Sequence, residues 1–185
     1  MTIAAVILAA GAGSRFEGDT HKLLAPLRGR AVIAWAVQHA VDASFDETIV
    51  VTGAADLTGL LPDAVRVVPN PRWADGQATS VQAAVAYARA MGHDAIVIGL
   101  GDTPFIPAET WRLVGDAASP LAVAVIDGQR TPPVRLAASM WDDLPVEGDA
   151  GARSLLARRP DLVLEVTCPG AAADIDTQED LQPWT

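Results

Sequence analysis

Two cations follow a run of small residues near the start of the chain. The run reads Leu8-Ala9-Ala10-Gly11-Ala12-Gly13-Ser14-Arg15, and Lys22 comes shortly after it. Glycines in such a turn let the main chain approach an anion and aim N–H groups at it. Arg15 and Lys22 would add charge where the leaving group of a triphosphate gathers it. Lys22 is the single lysine beside twelve arginines. Asp102 offers a carboxylate of the kind Mg²⁺ accepts, with waters, alongside substrate phosphates. Asp174 and Asp176 offer two more. In extended chain, residues two apart share a face, so either acid, or both, could reach an ion shared with Asp102. Arg130, Arg135 and Arg153 lie among small and proline-rich stretches, and their forks suit a phosphate monoester.

Two better-known loops do not fit. A dinucleotide fingerprint needs a third glycine where this chain has Phe16, and an acid where the second strand ends in Thr52-Gly53. A P-loop needs Gly before and Ser or Thr after its lysine, but Lys22 stands between His21 and Leu23. The three histidines, His21, His39 and His93, lack ligand spacing, so no zinc site is expected. Cys168, the one cysteine, excludes an intramolecular disulfide and a multi-cysteine metal site. The five tryptophans read as packing residues, except Trp73, which neighbours a polar loop.

These residues must be held by elements. Ile3–Leu8 reads as a buried strand ending in the glycine turn. A helix follows at Ala31–Val41, with Ile33, Ala36, Val37 and Ala40 on one face. Strands are expected at Thr48–Val51, Val65–Val68, Ala95–Ile98, Leu121–Ile126 and Leu162–Val166, and a short one at Val134–Leu136. Helices are expected at Ser80–Met91, from Pro107 to Val114, at Ser139–Leu144 and at Ala150–Arg158, with a closing turn at Thr177–Leu181. Alternating strands and helices imply a three-layer α/β/α, Rossmann-like fold with a mostly parallel sheet. Ligands of such sheets sit beyond the carboxyl ends of the strands, where residues 9–22, 69–79 and 99–106 fall.

A chain of 185 residues suits one domain, expected here over 1–185. Half the residues are hydrophobic and 19% are charged, which marks a globular chain. No apolar run approaches the ~20 residues that cross a bilayer. The N-terminus lacks the basic start of a secretory signal, so a cytoplasmic location is expected, without membrane contact. A net charge of −10 argues against nucleic-acid binding.

The segment LAAGAGSRF, followed by KLLAPL, resembles the signature of the MobA-like nucleotidyltransferases, nearest the molybdenum cofactor cytidylyltransferases. The family pattern is LAAG-x-[GS]-x-R-[MF]-G before K-L-L, and here Glu17 is one residue extra. Four further stretches are similar to family motifs in order: Asn70–Val81, Gly101–Ile106, Gly148–Arg153 and Asp174–Leu181. The resemblance implies a nucleotide-diphospho-sugar transferase type of fold. About 1–110 would bind nucleotide and about 111–185 the acceptor. It implies nucleotide contacts from Leu8, Ala9, Ala10, Gly11, Ala12, Gly13, Ser14, Arg15, Lys22, Gly76, Gln77, Ser80 and Asp102. Arg15, Lys22 and Asp102 would be catalytic. Mg²⁺ would be held by Asp102 with Asp174 or Asp176, and the acceptor by Arg130, Pro133 and Arg153.

In the family LAAG accompanies cytidylyl transfer and LAGG guanylyl transfer, so Ala10 implies CTP. The acceptor implied is molybdenum-bearing molybdopterin, with release of pyrophosphate and a molybdoenzyme or chaperone as a later partner. Other readings are a different triphosphate with a sugar phosphate or phospholactate, and a non-catalytic nucleotide- or cofactor-binding protein. At this length a fused acyltransferase is not expected.

Overall fold

The structure is a computed structural model and describes residues 1–16 and 20–184. In chain order its strands are β1 (Ile3–Ala9), β2 (Pro26–Leu27), β3 (Arg30–Ala31), β4 (Glu47–Thr52), β5 (Arg66–Pro69), β6 (Ala95–Leu100), β7 (Leu121–Ile126), β8 (Gln129–Ala137) and β9 (Val163–Thr167). Its α-helices are α1 (Val32–Asp42), α2 (Gln77–Met91), α3 (Ala108–Gly115) and α4 (Arg153–Arg158). Strands β2 and β3 form a small separate hairpin that the sequence reading missed.

Strand β1 is apolar at every position because both of its faces are covered. Ile3, Ala5, Ile7 and Ala9 pack on one side with Ile33 and Val37 of α1 and Trp111 and Val114 of α3. Ala4 and Val6 pack on the other with Val81, Ala84 and Val85 of α2 and Leu155 of α4. This is the three-layer α/β/α arrangement. The large sheet has the order β5-β4-β1-β6-β8-β7-β9. After β1 the chain goes first to β4 and β5 on one side, then to β6 on the other. The crevice between β1 and β6 is therefore the switch point at which ligands bind in open α/β sheets.

Strand β8 runs antiparallel to both β6 and β7, whereas the other pairs of the large sheet are parallel. Only three of its nine residues were expected as strand. Pro132 and Pro133 hid the rest. They fall where the register with β7 jumps, between Val123↔Val134 and Ala124↔Thr131, so their missing N–H groups cost no ladder bond. Helix α2 begins three residues before the expected Ser80, because Gly76, at φ 105° and ψ 166°, turns the chain directly into it. Helix α4 is shorter than the expected Ala150–Arg158, since Gly151 ahead of it has φ +48°.

Arg135 does not serve a ligand. Its side chain is buried, and Nε donates to Gly115 O at 3.1 Å and Nη1 to Ser119 O at 2.8 Å. Gly115 ends α3, so the guanidinium caps a carbonyl that the helix leaves without a partner. Burial lowers its pKa below the usual arginine value, with no carboxylate among the causes. Arg135→Met should cost about 2–3 kcal/mol in urea denaturation, because one buried and one part-buried carbonyl lose a charged donor. A loss below about 0.5 kcal/mol would mean that they find other donors.

Candidate functional site

The glycine turn leaves β1 at the sheet's carboxyl edge. Ala10 is buried, and its carbonyl accepts from Ala54 N–H at 3.0 Å. A Cβ on Gly53 would fall 2.5 Å from that oxygen and 2.8 Å from the Trp73 Cβ. Gly53, set aside as lacking a ribose acid, thus lets β4 pack closely against the turn. Among the described residues the N–H groups of Gly11, Ala12, Gly13 and Ser14 donate to no protein acceptor. Without such partners and on the wall of a cleft, they offer the donors of an anion-binding nest.

Behind the turn Lys22 gathers two carboxylates. Its Nζ donates to Asp102 Oδ2 at 2.5 Å and to Asp176 Oδ1 at 2.7 Å. Burial alone would lower the lysine pKa, but Asp102 and then Asp176 outweigh it and hold it above 10.5. The ammonium therefore stays charged across the physiological range. Arg15 Nη1 lies 2.8 Å from Asp176 Oδ2, but the arginine is 74% exposed, and such a pair is worth little.

Asp102 reaches the cleft because β6 ends at Leu100 and the chain turns at Gly101. A Cβ there would fall 2.7 Å from Ile33 Cδ1, so a side chain at this position would have to displace the end of Ile33. The Asp102 carbonyl accepts from Ile175 N–H at 2.9 Å, and Ile175 is fully buried. That anchor delivers Asp174 and Asp176 to the neighbourhood of Asp102 and separates their tasks. Asp176 faces the lysine. Asp174 lines the adjoining cavity instead, and does not pair with Lys22. Capping of the final turn falls to Thr177 and Asp180, through Thr177 N→Asp180 Oδ2 at 2.7 Å and Asp180 N→Thr177 Oγ1 at 3.3 Å. Asp176 is left free for the site.

Burial raises the Asp174 pKa, and the charges of Asp102 and Asp176 raise it further. A carboxyl whose folded pKa lies above its unfolded one destabilises the fold once ionised. The penalty is present at neutral pH and disappears as pH falls below the unfolded value of 3.8. Asp174→Asn should raise the melting temperature at pH 7 and leave it unchanged near pH 3.5. An equal shift at both pH values would assign the effect to packing.

Leu8 to Arg15, Lys22, Gly76, Gln77, Ser80 and Asp102 all line one cleft of about 580 Å³, together with Trp73, Ala74, Asp149 and Asp176. A second cavity, of about 530 Å³, is lined by Arg130, Arg153, Pro132 and Asp174 among others. Pro133, expected there, is buried, and its neighbour Pro132 takes that place. Arg130 is paired with Glu165, its Nε donating at 2.7 Å. Leu8, Gln77 and Leu100 border both spaces, so the two share a wall.

Asn70 holds the second loop, a role the sequence reading did not assign although its motif begins there. Its Nδ2 donates to Thr79 Oγ1 and Ser80 Oγ, both at 2.9 Å, and its Oδ1 accepts from Arg72 N–H at 2.9 Å. The loop at Gly148 is tied to the start of α2 through Ala78 N→Gly148 O at 2.9 Å and Gly148 N→Asp75 O at 3.2 Å. That tie places Asp149 on the first cleft and Arg153 on the second.

Among the described residues no three His, Cys, Asp or Glu groups form a metal cage. A cage is not required of an ion that shares its shell with phosphates and waters. Asp102 Oδ1 is buried and has no hydrogen-bond partner, an orphan that a divalent ion would satisfy. Asp102 and Asp176 already match the two cations of the site, so a polyphosphate would meet little spare positive charge without such an ion. On both counts the residues fit Mg²⁺.

A doubly wound sheet with an open amide nest and carboxylates at its switch point defines an α/β nucleotide-binding transferase. The chain belongs to the MobA-like NTP transferase family, whose domain matches residues 5–163. It is a nucleotidyltransferase-family enzyme. It is 30% identical over 195 residues to nicotine blue oxidoreductase of Paenarthrobacter nicotinovorans, covering 97% of this chain and 94% of that one. It is 32% identical to the bifunctional protein GlmU of Sphingopyxis alaskensis over 72% of this chain, and that match spans only 30% of the longer relative.

Among solved structures it is similar to a nucleotidyl transferase from Methanothermobacter thermautotrophicus, with a TM-score of 0.82 and 27% identity over 98% of this chain and 95% of that one. Rv0371c of Mycobacterium tuberculosis, solved as a manganese complex, matches with a TM-score of 0.84 and 25% identity over 100% of this chain and 98% of that one. No helix among the described residues is long and apolar enough to cross a membrane.

Proposed function

We propose that this protein moves CMP from CTP onto a phosphate-bearing acceptor, molybdenum-bearing molybdopterin, and releases pyrophosphate. The observation that carries transfer is the pair of cavities sharing a wall, one with an amide nest and cations, the other with Arg130 and Arg153. The nest from Gly11 to Ser14 would hold the triphosphate. Lys22 would exchange its carboxylate partners for phosphate oxygens, and Arg15 would join it in stabilising the leaving pyrophosphate. Arg130 and Arg153 would orient the acceptor phosphate, whose oxygen is ionised near pH 7 and attacks the α-phosphorus without a general base.

Asp102 with Asp176 would hold Mg²⁺, while Asp174, on the adjoining cavity, adds its charge to theirs. Bound there, the ion supplies charge neutralisation and Lewis acidity at the phosphates. The manganese complex of Rv0371c, a relative across the whole chain, supports a divalent ion. The LAAG segment supports cytidine, and the Gly148–Arg153 motif supports the pterin acceptor. A cytoplasmic enzyme handing its product to a molybdoenzyme or chaperone completes this reading.

A second reading has a sugar phosphate or another small phosphate as acceptor. It is favoured by Arg130 and Arg153 on the second cavity, which would serve any phosphate monoester. Pyrophosphate release from CTP, GTP, ATP and UTP decides between them, measured with Mg²⁺ and either molybdenum-loaded molybdopterin or a hexosamine 1-phosphate. Release from CTP with the pterin alone is expected. Release with the sugar phosphate alone moves the assignment to the second reading. Tight binding of triphosphate with no release under either condition makes the protein a non-catalytic binder.

A further inference from the structure

The imidazole of His21 joins two parts of the cleft that the chain separates. Its Nε2 lies 3.0 Å from Gly11 O, and its Nδ1 accepts the Leu23 N–H at 3.2 Å. The Leu23 contact needs a lone pair on Nδ1, and the Gly11 contact needs a proton on Nε2. The two together define one state, the neutral ring protonated at Nε2.

Gly13 makes room for this ring. A Cβ on it would lie 3.0 Å from His21 Nε2 and 3.1 Å from Lys22 Cγ, and its φ is +62°. A Cβ on Gly11 would meet nothing within 4 Å. The two glycines of the turn therefore differ: Gly11 borders open space, and Gly13 leaves the room that the histidine fills. A cap on the short turn at Lys22–Leu24 would need only Nδ1. The Nε2 contact does something else. It occupies the Gly11 carbonyl with a donor at 3.0 Å, so that oxygen is held by the ring and not left to turn toward an anion at the free N–H groups.

We propose that His21 is a positioning residue, a strut that keeps the Gly11–Ser14 nest open toward a polyphosphate and ties it to the turn carrying Lys22. The proposal depends on the nucleotide reading above and adds a residue which that reading leaves out.

Two substitutions separate the contacts. His21→Asn keeps an acceptor for Leu23 N–H but falls short of Gly11 O. His21→Gln extends an amide N–H to about the reach of Nε2. Binding of CTP with Mg²⁺ is measured by calorimetry, and KM and kcat by pyrophosphate release. His21→Asn is expected to raise Kd and KM about tenfold with kcat within about twofold, the effect of misplacing anion-binding amides without touching the reacting atoms. His21→Gln is expected to stay within about threefold of the parent in all three. Equal values for His21→Asn and the parent, or a loss confined to kcat, overturn the proposal.

Nitrogen-15 NMR of the histidine rings in the unliganded protein gives a test without nucleotide. A proton on Nε2 and none on Nδ1 is expected. A proton on Nδ1 in a protein that still binds CTP overturns the strut alone. A parent protein that keeps the Nε2 proton but binds none of the four triphosphates overturns the purpose assigned to the strut, together with the nucleotide reading.

Discussion

Asp102→Asn is expected to slow Mg²⁺-dependent pyrophosphate release by about 10²- to 10³-fold, the usual loss when a group that stabilises developing charge is removed. The substitution keeps the shape and one acceptor oxygen. Lys22 retains its 2.7 Å bond to Asp176, so the turn stays anchored. Asp174 loses one of the like charges that raise its pKa. Stability should therefore change little, and the melting temperature should stay within about 3 °C of the parent, roughly a 1 kcal/mol change for a chain of this size. The check is a Mg²⁺ titration of turnover beside a thermal melt. Unchanged turnover would remove Asp102 from the metal and from the chemistry.

Gly76→Ala carries the other large effect, this time on the fold. Gly76 sits at φ 105° and ψ 166°, a region essentially closed to residues with a Cβ. An added Cβ would fall 2.5 Å from the Gly148 carbonyl carbon and 2.6 Å from its oxygen, so main chain would have to move. Strain and displacement together should cost about 3–4 kcal/mol and lower the melting temperature by about 10 °C. Gly148→Ala is the control. Its φ is +89°, but a Cβ there would meet nothing within 4 Å, so only the backbone cost of about 1–2 kcal/mol remains. Equal losses in the two variants would mean that the packing of Gly76 on Gly148 contributes nothing. Because Gly148 also sets Asp149 and Arg153 on their two cavities, Gly76→Ala should weaken both substrates together.

How much of this was legible in the sequence depended on whether the signal was local. The run Ile3–Leu8 announces a strand covered on both faces, and the glycine turn after it announces the cleft. Lys22 could be singled out from composition alone. Strand β8 could not be read in full, because its two prolines argue against a strand unless a register jump excuses them, and such a jump appears only once β7 lies alongside. Arg135 and Arg130 look alike in sequence. One caps the end of α3 and the other borders a cavity, and the alternation of a strand whose length was misread decides which. The pairing of residues two apart placed Asp174 and Asp176 together, but it could not divide them between two cavities. That division comes from Ile175 docking on the Asp102 carbonyl, a contact between residues 73 positions apart. His21 gives no signal at all, since its two partners matter only when the turn closes on itself.

The lysine between Asp102 and Asp176 acts as a resident counter-charge, with consequences for the protein's life before it meets any substrate. Two acids left facing each other in a half-buried crevice would push the loops apart and make folding depend on a supply of divalent ion. With an ammonium already seated between them, the scaffold should fold without metal. Stripping the solution with a chelator should silence turnover and leave the melting curve where it was, so a shortage of magnesium would idle this protein without sending it to degradation.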